Sequence, residues 1–244
     1  MGIFGRLFRR SGEPEVVQRI RLGAEAGDVV AQRGLGALYF EGKLVPQDYG
    51  QAARWYALAA TQDDARSLFV LGEMHARGLG VVKDLDVAEQ LFVRAADHGH
   101  AIATTTLASL LDYLGRHDDA SLWWERAANA GDARAAYNLG CSYNDGLLGT
   151  QRDRTRALAW FKRAAELGHA DAQFNLARHL ATGDGIDKDE VAAHAWLTLS
   201  LGHREDMDTA RLREIVESRL APDQLARAQA LAAQLRDSAV SSRA

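Results

Sequence analysis

One stretch of sequence recurs along most of this 244-residue chain. Its clearest copy runs from Ala157 to Ala177 and reads ALAWFKRAAELGHADAQFNLA. A pair formed by leucine and a small residue returns at intervals of 36, 36, 32 and 37 residues, at Leu35-Gly36, Leu71-Gly72, Leu107-Ala108, Leu139-Gly140 and Leu176-Ala177. A period of this length with helical spacing is typical of stacked helical hairpins, in which each unit buries its apolar face against its neighbours.

A second pattern places a large apolar residue three positions after an alanine. We call these large residues the rung residues: Trp55, Leu91, Trp123, Trp160 and Trp196. Another bulky residue follows each one directly, at Tyr56, Phe92, Trp124, Phe161 and Leu197. All five tryptophans of the chain fall on these two positions. We therefore predict that the rung residues are structural and lie against the glycines of the Leu-Gly pairs on a facing helix.

Each repeat is predicted to contain a helix A with the Leu-small pair, a loop, and a helix B with the rung residue. Helix A of the first repeat is expected from Val29 to Glu41. Glycines just after helix A are predicted to end it in the left-handed conformation, at Gly42, Gly78, Gly146 and Gly183. Aspartates ahead of helix B are predicted N-caps rather than metal ligands, at Asp48, Asp84, Asp153 and Asp189.

Several of these motifs resemble Sel1-like repeats. They are A-x-A-Q-x-N-L-A at 170–177, Leu-Gly-x-x-Tyr at 35–39 and 139–143, and Gly-x-Gly-Val at 78–81. The resemblance covers about residues 14–203 and implies an all-α fold, an α/α right-handed superhelical solenoid of about five repeats. It also implies an adaptor role in protein complexes. Because the third repeat is shorter and lacks the Gly-x-Gly loop, we expect a change of curvature there.

The ends of the chain depart from the repeat. Residues 1–13 combine apolar residues with arginines and are expected to be flexible, although residues 1–10 also have the apolar stripe of a weak membrane-surface contact. A half-repeat from residue 14 is predicted to cap the array. Two further helices within 204–236 are predicted to cap its other end, followed by a disordered tail at 237–244.

Composition narrows the class of function and the compartment. The chain is 47% apolar and 25% charged with a net charge of -4, so no basic excess favours a nucleic acid as partner. Its single cysteine, Cys141, excludes an intramolecular disulfide and fits a reducing compartment. No run of about 18 apolar residues predicts a membrane span, and the first residues lack the apolar core of a secretory signal. We predict a cytoplasmic protein with an inert cysteine.

The candidate binding surface is predicted on helix A, which lines the concave face of such arrays. Asn138 and Asn175 precede the leucine of the Leu-small pair in two repeats, and an amide pairs with either backbone group of an extended ligand. Charged residues expected beside them are Glu73, Arg77, Arg134 and Arg178. The sequence leaves open whether these asparagines bind a ligand or hold the helices together.

We predict from these features a non-catalytic scaffold that binds a protein or peptide and needs no cofactor. No metal is expected, because the eight histidines are spread along the chain without a His-x-x-x-His pair. No serine, cysteine or carboxylate has a recognisable catalytic partner motif. Two alternatives remain: a β-lactam-binding or β-lactam-hydrolysing enzyme, as the resemblance to cysteine-rich Sel1-like proteins implies, and a membrane-surface scaffold anchored by residues 1–10.

Overall fold

The computed structural model describes residues 14–147, 150–203 and 206–241. These residues form helices joined by short turns and loops, and no strand occurs among them, so the predicted all-α class is confirmed. The helices are α1 (Glu15–Glu25), α2 (Val29–Glu41), α3 (Tyr49–Ala60), α4 (Ala65–Arg77), α5 (Leu85–Asp97), α6 (Ala101–Tyr113), α7 (His117–Asn129), α8 (Ala133–Asp145), α9 (Arg154–Glu166), α10 (Ala170–Thr182), α11 (Glu190–His203), α12 (Met207–Glu217) and α13 (Pro222–Ser241).

The predicted hairpin pattern accounts for the helices from α2 to α11. Helix A of the five repeats is α2, α4, α6, α8 and α10, and helix B is α3, α5, α7, α9 and α11. Contacts between residues define two compact units, the first ending at Leu107 and the second beginning at Ala108. In the first unit α1 packs on α2, α2 on α3, α3 on α4, and α4 on α5. In the second unit the helices from α7 to α11 pack on one another in chain order.

The predicted helix-ending glycines and the predicted N-cap aspartates are both confirmed. The four helix-ending glycines have φ values of 70°, 73°, 71° and 74°, in the left-handed region that favours glycine. The four aspartates accept a backbone N–H two or three residues into helix B: Asp48 from Gln51, Asp84 from Asp86 and Val87, Asp153 from Arg156, and Asp189 from Ala192. Each carboxylate therefore serves the start of its own helix.

Glycines within helix A do allow a close approach of helix B, but the residue that approaches differs from our prediction. A Cβ added at Gly72 would lie 2.7 Å from the ring of Phe92, and one added at Gly140 would lie 2.5 Å from the ring of Phe161. Tyr56 faces Gly36 in the same way. The prediction that a rung residue lies against these glycines is therefore wrong. With 3.6 residues per turn, neighbouring side chains on helix B point in different directions, and the second bulky residue is the one that faces helix A.

The rung residue and the second bulky residue of each helix B also differ in how deeply they are buried. The second bulky residue is buried in every repeat, at Tyr56, Phe92, Trp124, Phe161 and Leu197. Among the rung residues only Leu91 and Trp196 are buried, whereas Trp55, Trp123 and Trp160 are half-buried. A pair of alanines further along helix B is also buried in four repeats, at Ala59-Ala60, Ala95-Ala96, Ala127-Ala128 and Ala164-Ala165. The interior of the repeats therefore consists mainly of the second bulky residues and these alanines.

The C-terminal helices pack on the last repeat, as predicted. Pro222 is the first residue of α13, where its missing N–H costs no helical hydrogen bond. Both α12 and α13 contact α11, and Val216, Ala228 and Ala232 are buried. In the predicted disordered tail 237–244, α13 continues through Ser241, and residues 242–244 lie outside the described residues. The end of α13 contains no glycine or proline, and its alanine, leucine and glutamine residues favour a helix.

Some predictions from the sequence concern residues, or an arrangement of repeats, that the structure does not describe. The flexible segment 1–13 and the membrane contact through residues 1–10 lie outside the described residues. The same holds for residues 204–205 and 242–244. The change of curvature at the third repeat stays a prediction. Across the described ranges, no helix combines the length and apolarity needed to cross a lipid bilayer.

Candidate functional site

The six residues predicted for partner binding are divided between the two units. Glu73 and Arg77 lie on α4 in the first unit, where their side chains form an ion pair at 3.3 Å. The other four lie in the second unit: Arg134 and Asn138 on α8, and Arg178 and Asn175 on α10. Both second-unit arginines are exposed. The candidate site is therefore built on the second unit.

Asn138 and Asn175 have side chains that are only partly buried. Neither amide forms a hydrogen bond with any other residue that the structure describes. The buried glutamines behave differently, because Gln32 donates to the Ala24 carbonyl and Gln173 to the Ala165 carbonyl, each at 3.2 Å. Glutamines rather than asparagines thus connect helix A to the preceding helix B. We missed these glutamines, although their shared position four residues after the helix A N-cap was visible in the sequence.

A cavity of about 290 Å³ lies beside Asn138. Its lining residues come from α6, α7, α8 and the loop after α8: Asp112, Trp124, Asn138, Cys141, Ser142 and Leu147. The Asp112 carboxylate accepts a hydrogen bond from Nε1 of Trp124 at 3.0 Å, and its other oxygen lies 3.3 Å from Nδ1 of His117. No sequence pattern pointed to Asp112, which lies in the repeat that departs most from the template.

The two potential nucleophiles of this cavity are not prepared for catalysis. Burial raises the pKa of the Cys141 thiol, an effect that Asp145 reinforces and that Tyr137 and Arg178 oppose. A raised pKa keeps the thiol protonated and unreactive, in agreement with the predicted inert cysteine. The Ser142 hydroxyl donates to the Leu147 carbonyl at 2.6 Å. Neither side chain is therefore activated as a nucleophile.

Two of the histidines for which no metal role was predicted stack on aromatic rings between repeats, a contact that sequence analysis did not predict. His100 stacks on Phe69 and His169 on Tyr137, each with ring centroids 4.4 Å apart. Burial lowers the pKa of both histidines. Nδ1 of each ring is buried without a hydrogen-bond partner within the described part of the chain. In the first repeat an ion pair occupies the corresponding place, between Arg33 and Asp64.

Two arginines donate hydrogen bonds to the C-terminal end of helix B in the preceding repeat. Arg94 donates to the Ala60 carbonyl at 2.9 Å, and Arg163 donates to the Ala128 carbonyl at 3.0 Å. These carbonyls belong to the last helical turn, and each also accepts a backbone N–H from the turn that follows, Ala60 from Asp63 and Ala128 from Gly131. Both arginines therefore have a structural task. Within the ranges that the structure covers, no three histidine, cysteine or carboxylate groups converge as metal ligands.

Repeated helical hairpins, closed by terminal helices, define an α/α repeat protein, and this one carries a small cavity in its second unit. The family model named Sel1 repeat matches residues 29–64, 65–100, 122–132, 133–169 and 170–201, which is more than half of the chain. The chain therefore belongs to the Sel1 repeat family, as the resemblance predicted. The model matches the short third repeat only over part of its length.

Among solved structures, a Sel1 repeat protein from Oxalobacter formigenes is similar at 27% identity, with a TM-score of 0.65 over 81% of this chain and 87% of that one. A protective antigen of uropathogenic Escherichia coli with an SLR fold is similar at 25% identity, with a TM-score of 0.53 over 93% of this chain and 58% of that one. These similarities agree with the helical hairpin architecture.

Two curated relatives are much longer than this chain. The ERAD-associated E3 ubiquitin-protein ligase component HRD3B of Arabidopsis thaliana is 28% identical over 113 residues, which are 45% of this chain and 19% of that protein. Protein sel-1 homolog 2 of Homo sapiens is 34% identical over 71 residues, which are 29% of this chain and 10% of that protein. The chain thus spans less than a fifth of the length of either relative.

Proposed function

We propose that this chain is a non-catalytic adaptor that binds a peptide segment of a partner protein on α8 and α10, through Asn138 and Asn175. Sel1 repeat proteins commonly mediate interactions between proteins, and the relative HRD3B is named as a component of a larger ligase. The proposal rests on the position and the hydrogen bonding of the two side-chain amides. They hold the same position in two helices and have no hydrogen bond to another described residue.

An open amide suits an extended peptide for a simple chemical reason. Its oxygen accepts from a backbone N–H, and its NH₂ group donates to a backbone carbonyl. Arg134 and Arg178, exposed on the same two helices, supply further donors for carbonyls or carboxylates of the ligand. The Asn138 amide also borders the cavity, so a peptide held there reaches a pocket for one of its side chains.

The proposal is tested by selecting a random-peptide library displayed on phage against the purified full chain. Affinities of the selected peptides are then measured by fluorescence anisotropy. We expect the double variant Asn138→Ala with Asn175→Ala to weaken binding by about tenfold or more, as the loss of two hydrogen bonds predicts. Asn129→Ala, which removes an exposed amide from α7, serves as the matched control and leaves the affinity unchanged. Equal affinity in the double variant contradicts the proposed surface.

No observation favours the alternative of a β-lactam-hydrolysing enzyme. The Cys141 thiol has a raised pKa, and the Ser142 hydroxyl is engaged by a backbone carbonyl. Turnover of nitrocefin by the purified chain, abolished by Cys141→Ala or Ser142→Ala, would overturn the non-catalytic assignment.

The cellular location is a separate proposal, and we place the chain in the cytoplasm. The single cysteine suits a reducing compartment, and the net charge of -4 gives no general attraction to anionic lipid. Fractionation of cells that express the full chain, beside a chain lacking residues 1–10, tests this location. Recovery of the full chain in the membrane fraction, lost on deletion of those residues, favours the membrane-surface scaffold instead.

A further inference from the structure

The cavity beside Asn138 has one charged group, the carboxylate of Asp112. Among the lining residues that the structure describes, Asp112 is the only one that carries a formal charge. Its side chain is 22% exposed, and its two oxygens contact Nε1 of Trp124 at 3.0 Å and Nδ1 of His117 at 3.3 Å. A carboxylate has about four lone-pair sites, so these two contacts leave acceptor capacity for a ligand.

The remaining walls of the cavity are mainly apolar. The indole of Trp124 and the side chains of Cys141 and Leu147 line it, and Leu147 is exposed toward solvent. The Ser142 hydroxyl already donates to a carbonyl, which leaves the Asn138 amide as the open polar group. At about 290 Å³ the cavity falls at the lower limit of ligand pockets, a size that suits one side chain rather than a whole small molecule.

We infer that this cavity binds one lysine or arginine side chain of the peptide partner, with its cationic head at Asp112 and its stem along Trp124 and Leu147. This inference rests on the proposed function, because it names the residue by which a bound peptide is anchored. Long basic side chains place their methylene groups on apolar surface while the charged head reaches a carboxylate. A charge-assisted hydrogen bond to an oriented carboxylate is stronger than one between neutral groups.

Other charges near the cavity do not reverse this preference. Asp145 and Arg178 act on the Cys141 thiol in opposite directions, so their fields partly cancel there. His117 is half-exposed, and its Nδ1 contacts the Asp112 oxygen that does not accept from Trp124. Asp112 therefore determines the charge that the interior of the cavity accepts, and an acidic ligand side chain is repelled.

The experiment uses the peptides selected on the full chain under "Proposed function". We expect a lysine or arginine at one fixed position of the selected peptides. Asp112→Asn is the decisive variant, since the amide oxygen still accepts from Trp124 while the charge is removed. Asp112→Asn should lower the affinity for these peptides by about tenfold or more. Peptides with norleucine at the basic position should bind wild type and variant equally.

The control variant is Asp119→Asn, which removes the same charge from the exposed surface of α7. Asp119 pairs with Arg116 and does not line the cavity. We expect it to leave peptide affinity unchanged. Equal thermal unfolding midpoints of both variants establish that a loss of affinity reflects the cavity rather than the fold.

The possible outcomes separate the inference from the proposed function. A basic residue at a fixed position whose contribution to affinity is lost in Asp112→Asn supports both the inference and the proposed function. Selected peptides that depend on Asn138 but carry a neutral or acidic residue at the fixed position overturn the inference and leave the adaptor function standing. Failure to select any peptide on the full chain overturns both.

Discussion

At the residue scale, adjacent side chains on helix B have different tasks. Phe92 fills the space above Gly72, whereas the preceding Leu91 packs on another side of its helix. Sequence analysis recognised both bulky positions but assigned the glycine contact to the wrong one. The error had a geometric cause, because spacing along one helix does not state which side of it faces the partner helix. The contact distances therefore decide which glycines tolerate a larger residue.

Gly72→Ala is expected to destabilise the chain by up to about 2 kcal/mol, the overpacking cost less the gain in helix propensity. Alanine favours a helix by about 1 kcal/mol over glycine. Its methyl group would lie 2.7 Å from the buried Phe92 ring, and overpacking of this kind costs about 1–3 kcal/mol or more. Gly34→Ala is the matched control in another helix A, because its nearest new contact is an ordinary 3.8 Å to Ile20. Chemical denaturation should show Gly34→Ala stabilised, and a stabilised Gly72→Ala would contradict the packing argument.

The stacked histidines predict a loss of stability in weak acid. Burial lowers the pKa of His169 below its ordinary 6.5, so the unfolded chain binds a proton at a pH where the folded chain does not. The free energy of unfolding therefore falls as the pH drops below about 6.5, and it is unaffected by this group at higher pH. Urea denaturation across that range measures the slope. His169→Gln should make the slope shallower, and an unchanged slope would show that other groups cause the pH dependence.

At the element scale, the helices of the repeats were the most predictable part of the chain. A left-handed glycine and an aspartate cap each have a local cause, so Gly42 and Asp48 are recognised without knowing the fold. The stacks of His100 and His169 on aromatic rings are not local, since each joins residues about thirty positions apart. The cavity was unpredictable for the same reason, because Asp112 and Asn138 come from different repeats. Of the candidate site, the two asparagines and the arginines on their helices were visible in the sequence, whereas Asp112 was not.

The cap at the start of α3 offers a direct test of these local interactions. Asp48→Ala should cost about 1 kcal/mol of unfolding free energy, because the N–H of Gln51 loses its side-chain acceptor. Asp48→Asn keeps an acceptor oxygen and serves as the control, with a change of only a few tenths. Both are measured by urea denaturation of the purified chain. Equal losses in the two variants would mean that the charge, rather than the hydrogen bond, stabilises the helix.

At the scale of the whole molecule, a repeat array is stabilised by contacts between neighbouring units and needs closed ends to stay soluble. The end of this array is closed by α13, whose Ala228 is fully buried while Ala230 on the same helix is exposed. Burying an unpaired charge at the position of Ala228 is costly. Ala228→Arg should therefore detach α13 from α11 and lower the free energy of unfolding by about 2–4 kcal/mol. Ala230→Arg adds the same side chain on the solvent side and should change stability by about 0.5 kcal/mol or less. Size-exclusion chromatography and thermal denaturation compare the two variants. An Ala228→Arg chain that elutes like the wild type and is as stable as its control would show that α13 does not close the array.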